Sequence, residues 1–589
     1  MVSAPFKILG TVTSMDKFKP LASIVIPVFN GANYMRQAID SALAQTYRNI
    51  EVIVVNDGSK DNGQTDAIAK SYGDRIRYFS KENGGCASAL NFGIAKMKGE
   101  YFSWLSHDDR YLPDKIEHQI NVLSTLEDKE TIIYGGYEVI DSKSAPLYMV
   151  RPDAILPPKK RNIPLLPLLR GLIHGCALLI PRKYFSEIGV FDESLPSTQD
   201  YALWFEFFRV APLHFDSRIV VQSRVHPDQG THKIEKHIEE CNTLWSGFLR
   251  RLSEDEMSVM EGSPYRFLVK TAEFLSSTPY HEAQQLATSM AESALADTNI
   301  SVVIPFYNRI GWAVEAIRSV QVQTHQQFEI LLIDDGSTDD LGALLDVVRL
   351  DSRIKYIRQD NAGPAKARNN GVKHATGRYI AFLDSDDLFC PEKLEVQLKY
   401  MEENVFALSH TSYDRVDLEG NLIGFISSGQ MKGNVFSGIL TCCPIAMPTV
   451  MGRAGLFRDN PFPEQFEIGE DVCLWISLAS RHELGGLDLA LSKVRVGPET
   501  AALNASKQAI GLNNIASYIL HDPYISQRLL ADLQQYKITN DALQITNDTL
   551  QITNDALQIK YEALLNSRSM RMIRLLKKIL GSIGIARYR

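Results

Sequence analysis

The chain carries the same pattern twice. SIVIPVFN (23–30), VVNDGSKD (54–61) and LSHDD (105–109) return as SVVIPFYN (301–308), LIDDGSTD (332–339) and LDSDD (383–387), displaced by 278 residues each time. Pro27 pairs with Pro305, Asp57 with Asp335 and Asp108 with Asp386. Further along, QDYALW (199–204) pairs with EDVCLW (470–475) at a displacement of 271. A solenoid repeats every 20–50 residues or so, which excludes that architecture. The pattern calls for two complete domains of one fold, at 21–231 and 299–503.

Within each copy, apolar β-branched runs of strand length alternate with stretches of helical periodicity. SIVIPV and IEVIVV read as buried strands ending in turn residues, and YMRQAIDSALAQT between them reads as a helix. The expected class is therefore α/β, with a mostly parallel, Rossmann-like sheet and helical crossovers. Ligands of such sheets sit beyond the carboxyl ends of the strands. That rim would hold Asp57, the Asn83-Gly84-Gly85 loop and Asp108 in the first copy, and Asp335, Asn361 and Asp386 in the second.

Composition narrows the function. The 589 residues carry a net charge of −8, which argues against a nucleic-acid partner. Hydrophobic residues at 45% and charged residues at 22% exclude collagen-like, disordered and disulfide-scaffold classes. Seven cysteines with no CxxC pair suit reduced thiols, and the adjacent Cys442 and Cys443 read as packing residues. No run reaches the ~18 apolar residues of a membrane span, and the N-terminus lacks a signal-like apolar stretch. A cytoplasmic enzyme is expected.

Clustered carboxylates repel one another, so HDD and DSDD beyond apolar strands point to a cation. Oxygen ligands in small number suit Mg²⁺ or Mn²⁺ shared with a substrate's phosphates. Asp109 and Asp387 also precede helical runs, where capping alone would account for them.

Taken in order, S-[IV]-V-I-P-x-[FY]-N, D-G-S-x-D, N-x-G-x-[AG], the D-D cluster, G-x-F-D-E (189–193) and [QE]-D-x-x-L-W resemble the family 2 inverting glycosyltransferases of the GT-A fold. The resemblance implies nucleotide-sugar binding by Pro27, Asp57 and Asn83, and by Pro305, Asp335 and Asn361. It implies metal ligation by Asp108, Asp384, Asp386 and His226, and general-base roles for Asp200 and Asp471. Trp204 and Trp475 suit either core or acceptor wall. The copies also differ: Ser106 stands opposite Asp384, Gln199 opposite Glu470, and His226 opposite Gly497. His107, beside acidic neighbours, is expected to favour its protonated form, and His174 falls in an acceptor-side segment by resemblance.

Between the copies, 232–298 is rich in helix formers and reads as a packed connector holding the two sites at fixed spacing. After a helical region at 504–536, residues 537–565 repeat every seven residues, with Ile538, Ile545, Ile552 and Ile559 in phase. This suggests a heptad-repeat helix that self-associates, or one that docks back on the enzyme. The segment 566–589 is basic and amphipathic without an acid, suited to an anionic membrane surface.

The resulting expectation is a bifunctional glycosyltransferase that extends a lipid-linked surface glycan at the cytoplasmic membrane face. One active copy beside a degenerate acceptor-binding copy is the alternative, as is a non-enzymatic glycan-binding scaffold.

Overall fold

Strands without a polar face can only sit in the middle of a domain, and the computed structural model puts them there. It describes residues 18–227, 229, 236–429, 431–497 and 504–547. The chain divides into two units between Ala291 and Glu292.

In the first unit the strands are β1 (Ala22–Val28), β2 (Ile50–Asp57), β3 (Arg77–Lys81), β4 (Tyr101–Trp104), β5 (Arg110–Tyr111), β6 (Ile132–Ile140), β7 (Pro146–Val150), β8 (Ile180–Pro181) and β9 (Leu213–Arg224). One sheet runs β3-β2-β1-β4-β8 and a second runs β5-β9-β6-β7. Pairings β1–β2, β1–β4 and β2–β3 are parallel, and β4–β8 is antiparallel. Every residue of β1 is buried. Pro27 lies beyond Val25, where the ladder with β4 ends, so its missing N–H falls where the sheet is already opening. The helices that matter below are α1 (Gly85–Lys96), α2 (Lys115–Thr125), α3 (Gln199–Val210), α4 (His237–Arg251) and α5 (Pro264–Ser276).

The second unit repeats the plan with β10 (Ile300–Phe306), β11 (Phe328–Asp334), β12 (Ile354–Arg358), β13 (Tyr379–Phe382), β14 (Leu388–Phe389), β15 (Leu408–Val416), β16 (Leu422–Ile426), β17 (Met451–Arg453) and β18 (Gly485–Arg495). Here β17 also pairs with β15, so the order β12-β11-β10-β13-β17-β15-β18-β14 is one continuous sheet. In the first unit the corresponding join is a single bridge, Ile133–Leu179. The helices are α6 (Pro364–His374), α7 (Lys393–Asn404), α8 (Glu470–Arg481), α9 (Ala505–His521) and α10 (Pro523–Asn547). Trp204 and Trp475 are wholly buried against Phe191 and Phe462, which makes them core residues.

The segment expected as a packed connector packs onto the first unit. Phe248 of α4 stacks on Phe205 of α3 at 4.2 Å, and Arg209 pairs with Glu256. Glu261 receives Lys160 and Arg170. The internal repeat also reaches further than its motifs. Glu240 of α4 bonds to Thr198, and Gly511 of α9 lies against Gly469, both pairs at the displacement of 271. Residues 537–547 continue α10. The rest of the heptad segment and the basic tail lie outside the described residues. No described helix is long and apolar enough to cross a membrane.

Each unit also buries a lysine at the start of the helix after its acidic cluster. Lys115 donates to Ser103 Oγ at 2.8 Å, to Gln119 Oε1 at 2.9 Å and to the Leu178 carbonyl. Lys393 has Ala381 where the first copy has Ser103. Its Nζ finds no hydrogen-bond partner and lies 4.2 Å from the centre of the Phe389 ring. Burial lowers both ammonium groups from 10.5 to about 7. The unfolded chain keeps these protons to about pH 10.5 while the folded chain sheds them above about 7. Their contribution to stability therefore grows as pH rises through that window. Lys393→Met should stabilise the second unit by about 1 kcal/mol at pH 7. Lys115→Met, which takes a donor from three acceptors and leaves Gln119 Oε1 without one, should destabilise the first by about 1–2 kcal/mol. Denaturant midpoints across pH 7–10 read both effects.

Candidate active site

Each site begins with a carboxylate at a strand end. Asp57 closes β2 and accepts the N–H groups of Gly84 at 3.0 Å and Gly85 at 2.8 Å, together with Lys81 Nζ at 2.7 Å. Asp335, just beyond β11, accepts Ala362 N and Gly363 N, both at 2.9 Å, and Gln359 Nε2 at 2.8 Å. Both carboxylates thus tie a strand end to the start of the helix that follows the neighbouring strand, β3 or β12. A carboxylate offers about four acceptor positions, so each keeps capacity for a ligand N–H. Asn83 Nδ2 donates to the Asp57 carbonyl, and Asn361 occupies the matching place. Gly58 and Gly336 have positive φ, and a Cβ on either would come within 2.8 Å of the backbone N of Asn83 or Asn361. The Asp-Gly pair is therefore fixed by backbone geometry on two counts.

The loop after β1 is locked to the same edge. Asn30, at φ 50°, accepts Lys60 N and donates its own N–H to Ser59 Oγ. Asn308, at φ 57°, does the same with Thr338, Asp339 and Ser337. The terminal Asn of the first motif thus positions the D-G-S-x-D turn, an assignment sequence reasoning missed.

The acidic clusters split into two duties. Asp109 Oδ1 accepts Arg224 N at 2.8 Å and Asp387 Oδ1 accepts Arg495 N at 2.9 Å, fastening each cluster to the end of β9 or β18. They cap no helix, because Asp114 and Glu392 hold those N-cap positions. Asp108 and Asp386 stay half-exposed on the rim. His226 Nε2 lies 3.1 Å from Asp108 Oδ2, an imidazole and carboxylate pair whose nitrogen and oxygen suit a divalent cation. Burial lowers the His107 pKa despite Asp108 nearby, so the expected protonated form is not the favoured one. Asp109, His174 and Cys176 also gather their ligand atoms within 4.8 Å. Burial drives His174 down to about 4 and both the Cys176 thiol and the Asp109 carboxyl upward, and Cys176 Sγ donates to Asp109 Oδ2 at 3.5 Å.

Asp200 and Asp471 each lie in the first turn of a helix, α3 and α8. Burial pushes Asp200 up to about 6. Asp471 rises to about 7 through burial and then Glu470, with Arg368 opposing. The sites converge. The exposed Cys86 thiol feels the charges of Asp200, Asp108 and Asp57 together, all of which act to raise its pKa. Three carboxylates far apart in sequence are thus near enough to act on one thiol. In the second unit Arg368 feels Asp384, Glu470 and Asp471.

That arginine accounts for two differences between the copies at once. Arg368 is buried, and donates to Glu470 Oε1 at 2.8 Å and Asp384 Oδ1 at 2.6 Å. The first copy has Leu90, Gln199 and Ser106 in those three places. The leading acid of the second cluster is thus a salt-bridge partner, and its loss in the first copy accompanies the loss of the cation it pairs with.

Comparison with known proteins gives the same two segments. The family model for glycosyl transferase family 2 matches residues 23–189 and again 301–460. The chain belongs to glycosyl transferase family 2. An uncharacterised glycosyltransferase of Rickettsia felis is 61% identical over 522 residues, covering 88% of this chain and 87% of that protein. The Escherichia coli UDP-Glc:α-D-GlcNAc-diphosphoundecaprenol β-1,3-glucosyltransferase WfgD is 32% identical over 216 residues, 36% of this chain and 84% of WfgD. Among solved structures, Staphylococcus aureus TarS 1–349 in complex with UDP-GlcNAc matches 38% of this chain and 68% of that one. Its identity is 23% and its TM-score 0.33. The chain is a glycosyltransferase with an α/β fold in two family 2 copies. Both family matches end before Asp200 and Asp471, so those two positions rest on the geometry above.

Removing one partner of a buried ion network leaves charge stranded in a dry site. Arg368→Leu alone should destabilise the second unit by about 3–5 kcal/mol. Adding Asp384→Ser and Glu470→Gln, which installs the first copy's neutral set, should recover most of that loss. Denaturant unfolding of the single and triple variants measures it.

Proposed function

We propose that both copies are working transferases, each moving a sugar from a nucleotide-sugar donor to an acceptor hydroxyl with inversion. The observation that carries this is the convergence of Asp57, Asp108 and Asp200 on the space around Cys86, with Asp471 and Asp384 likewise meeting at Arg368. Pro27, Asp57 and Asn83, and Pro305, Asp335 and Asn361, face the nucleotide. Asp108 with His226, and Asp386 with Asp384, are the residues that would hold Mg²⁺ or Mn²⁺. Such a cation, when bound, neutralises charge on the departing diphosphate. The donor set of the first copy fits it more openly, since Arg368 engages Asp384 and Arg309 approaches Asp386 to 3.8 Å.

The reaction needs one base per copy. Asp200 or Asp471 takes the proton of the acceptor hydroxyl as its oxygen bonds to the anomeric carbon. The bond from that carbon to the phosphate oxygen breaks on the opposite face, and the nucleoside diphosphate leaves. Carboxylates raised to about 6 and 7 are stronger bases than ordinary ones yet still ionised near neutral pH.

A growing, lipid-linked surface glycan is the proposed acceptor. The acceptor named for the E. coli relative supports it, as does the basic segment 567–589, which suits attachment to the cytoplasmic face of a membrane. Self-association through 537–565 would place several chains on one surface.

Asp200→Asn and Asp471→Asn, made separately in the full chain, test this. With UDP-, GDP- and dTDP-sugars and defined acceptors, each variant should lose one linkage by about 10²–10⁴-fold and keep the other. The activity left in Asp471→Asn should rise with pH around 6, and that left in Asp200→Asn around 7. Both linkages surviving in both variants would overturn the assignment. Loss of all transfer in one variant alone, with the other unaffected, would favour one active copy beside a degenerate one.

A further inference from the structure

Behind Asp200 lies a cavity of about 310 Å³ that the donor residues do not share. It is enclosed by the first turn of α3, by α4, and by α5 with the chain just after it. Asp200 and Tyr201 form one side, and Trp245, Phe274, Thr278 and Tyr280 form the other. Asp57, Asn83, Asp108 and His226 do not line it. Asp200 therefore stands between two spaces, the donor carboxylates on one side and this cavity on the other. A base that deprotonates an acceptor must occupy that position, because the hydroxyl approaches from the side away from the leaving diphosphate.

We propose that this cavity is the acceptor site of the first copy, and that its occupant is a single neutral pyranose ring. The inference rests on the reading above that the first copy transfers sugar. Aromatic faces from three elements offer surfaces for the C–H face of a pyranose, while hydroxyl groups along the same wall suit its rim. Among the described residues Asp200 is the only carboxylate in the lining, and no lysine or arginine joins it. His237 is the one lining group able to carry positive charge, and its Nδ1 is engaged with Ser197 Oγ at 2.9 Å, so the described lining favours a neutral occupant over a phosphate or uronate. The volume stands at the low end of small-molecule pockets, about 300–1,000 Å³, enough for one ring with the remaining glycan outside.

The connector helices also position the base. Glu240 Oε1 accepts Ser197 N, Thr198 N and Thr198 Oγ1 at 3.1, 2.8 and 2.6 Å, immediately before Asp200. His237 Nδ1 meets Ser197 Oγ at 2.9 Å. Helix α4 thus holds the N-terminus of α3 while it walls the cavity. At the displacement of 271, Trp245 becomes Ala516 and Cys241 becomes Leu512. The second copy therefore has no aromatic ring at the position of Trp245.

The test uses the full chain carrying Asp471→Asn, so that only the first copy turns over, with nucleoside diphosphate release as readout. Methyl pyranosides of glucose, galactose, mannose and N-acetylglucosamine serve as acceptor probes. At least one should accelerate release over water. Thr278→Trp, which fills the cavity, and Tyr280→Ala, which removes a platform, should each raise the acceptor KM at least tenfold. The donor KM should stay within twofold, which also reports that both variants are folded. An unchanged acceptor KM in both variants, or no acceleration by any pyranoside while water still releases diphosphate, would overturn the acceptor site. No release even to water, with any of the donors, would instead overturn the transferase reading of this copy.

Discussion

A carboxylate held by two backbone N–H groups is the interaction from which both sites are built. Asp57 and Asp335 sit where a parallel strand ends, and each pins the opening residues of a helix one strand further on, α1 or α6, with charge-assisted hydrogen bonds. The glycine that follows must take positive φ and let a backbone approach, so the loop has a single available path. Asn30 and Asn308 then lock the neighbouring loop onto the same edge. With those bonds in place, the rim residues of the next strand, Asp108 and Asp386, face the same opening. The same set recurs in both units although their surfaces have diverged.

What diverged did so in coupled groups. The second copy buries Arg368 between Asp384 and Glu470, and the first replaces all three with neutral residues. A second exchange lies at the metal-facing aspartates. In the first copy His226 approaches Asp108, and a Cβ at Gly31 would strike His107 at 2.9 Å. In the second, Ser385 stands opposite His107, Arg309 occupies the glycine position and reaches toward Asp386, and Gly497 replaces the histidine. Each site therefore keeps one cationic or protonatable partner beside its aspartate, delivered from a different element. Buried charge explains the first coupling, because neither Arg368 nor Glu470 can change alone without stranding the other.

Much of this was legible from residue order. The displacement of 278 exposed the duplication, and buried-strand runs ending in Asp-Gly located the rim, because both are patterns along the chain. The ion network was not read, since Leu90 against Arg368 is informative only once Ser106 and Gln199 are known to touch that position. Comparing the two copies column by column held that signal. Residues 232–298 read as a packed connector, and the surface it packs on, the first unit beneath α4 and α5, was not legible, because helical periodicity says which face is apolar and nothing of what covers it. Asp109 and Asp387 were weighed as caps from sequence proximity, whereas their partners, Arg224 and Arg495, lie over a hundred residues away.

The account stands on two donor sites per chain, built alike. Calorimetric titration of the full chain with UDP, GDP and dTDP in the presence of Mn²⁺ measures their number directly. It should return two bound nucleoside diphosphates per chain, counted over the nucleotides that bind. A total of one, or none, would contradict it.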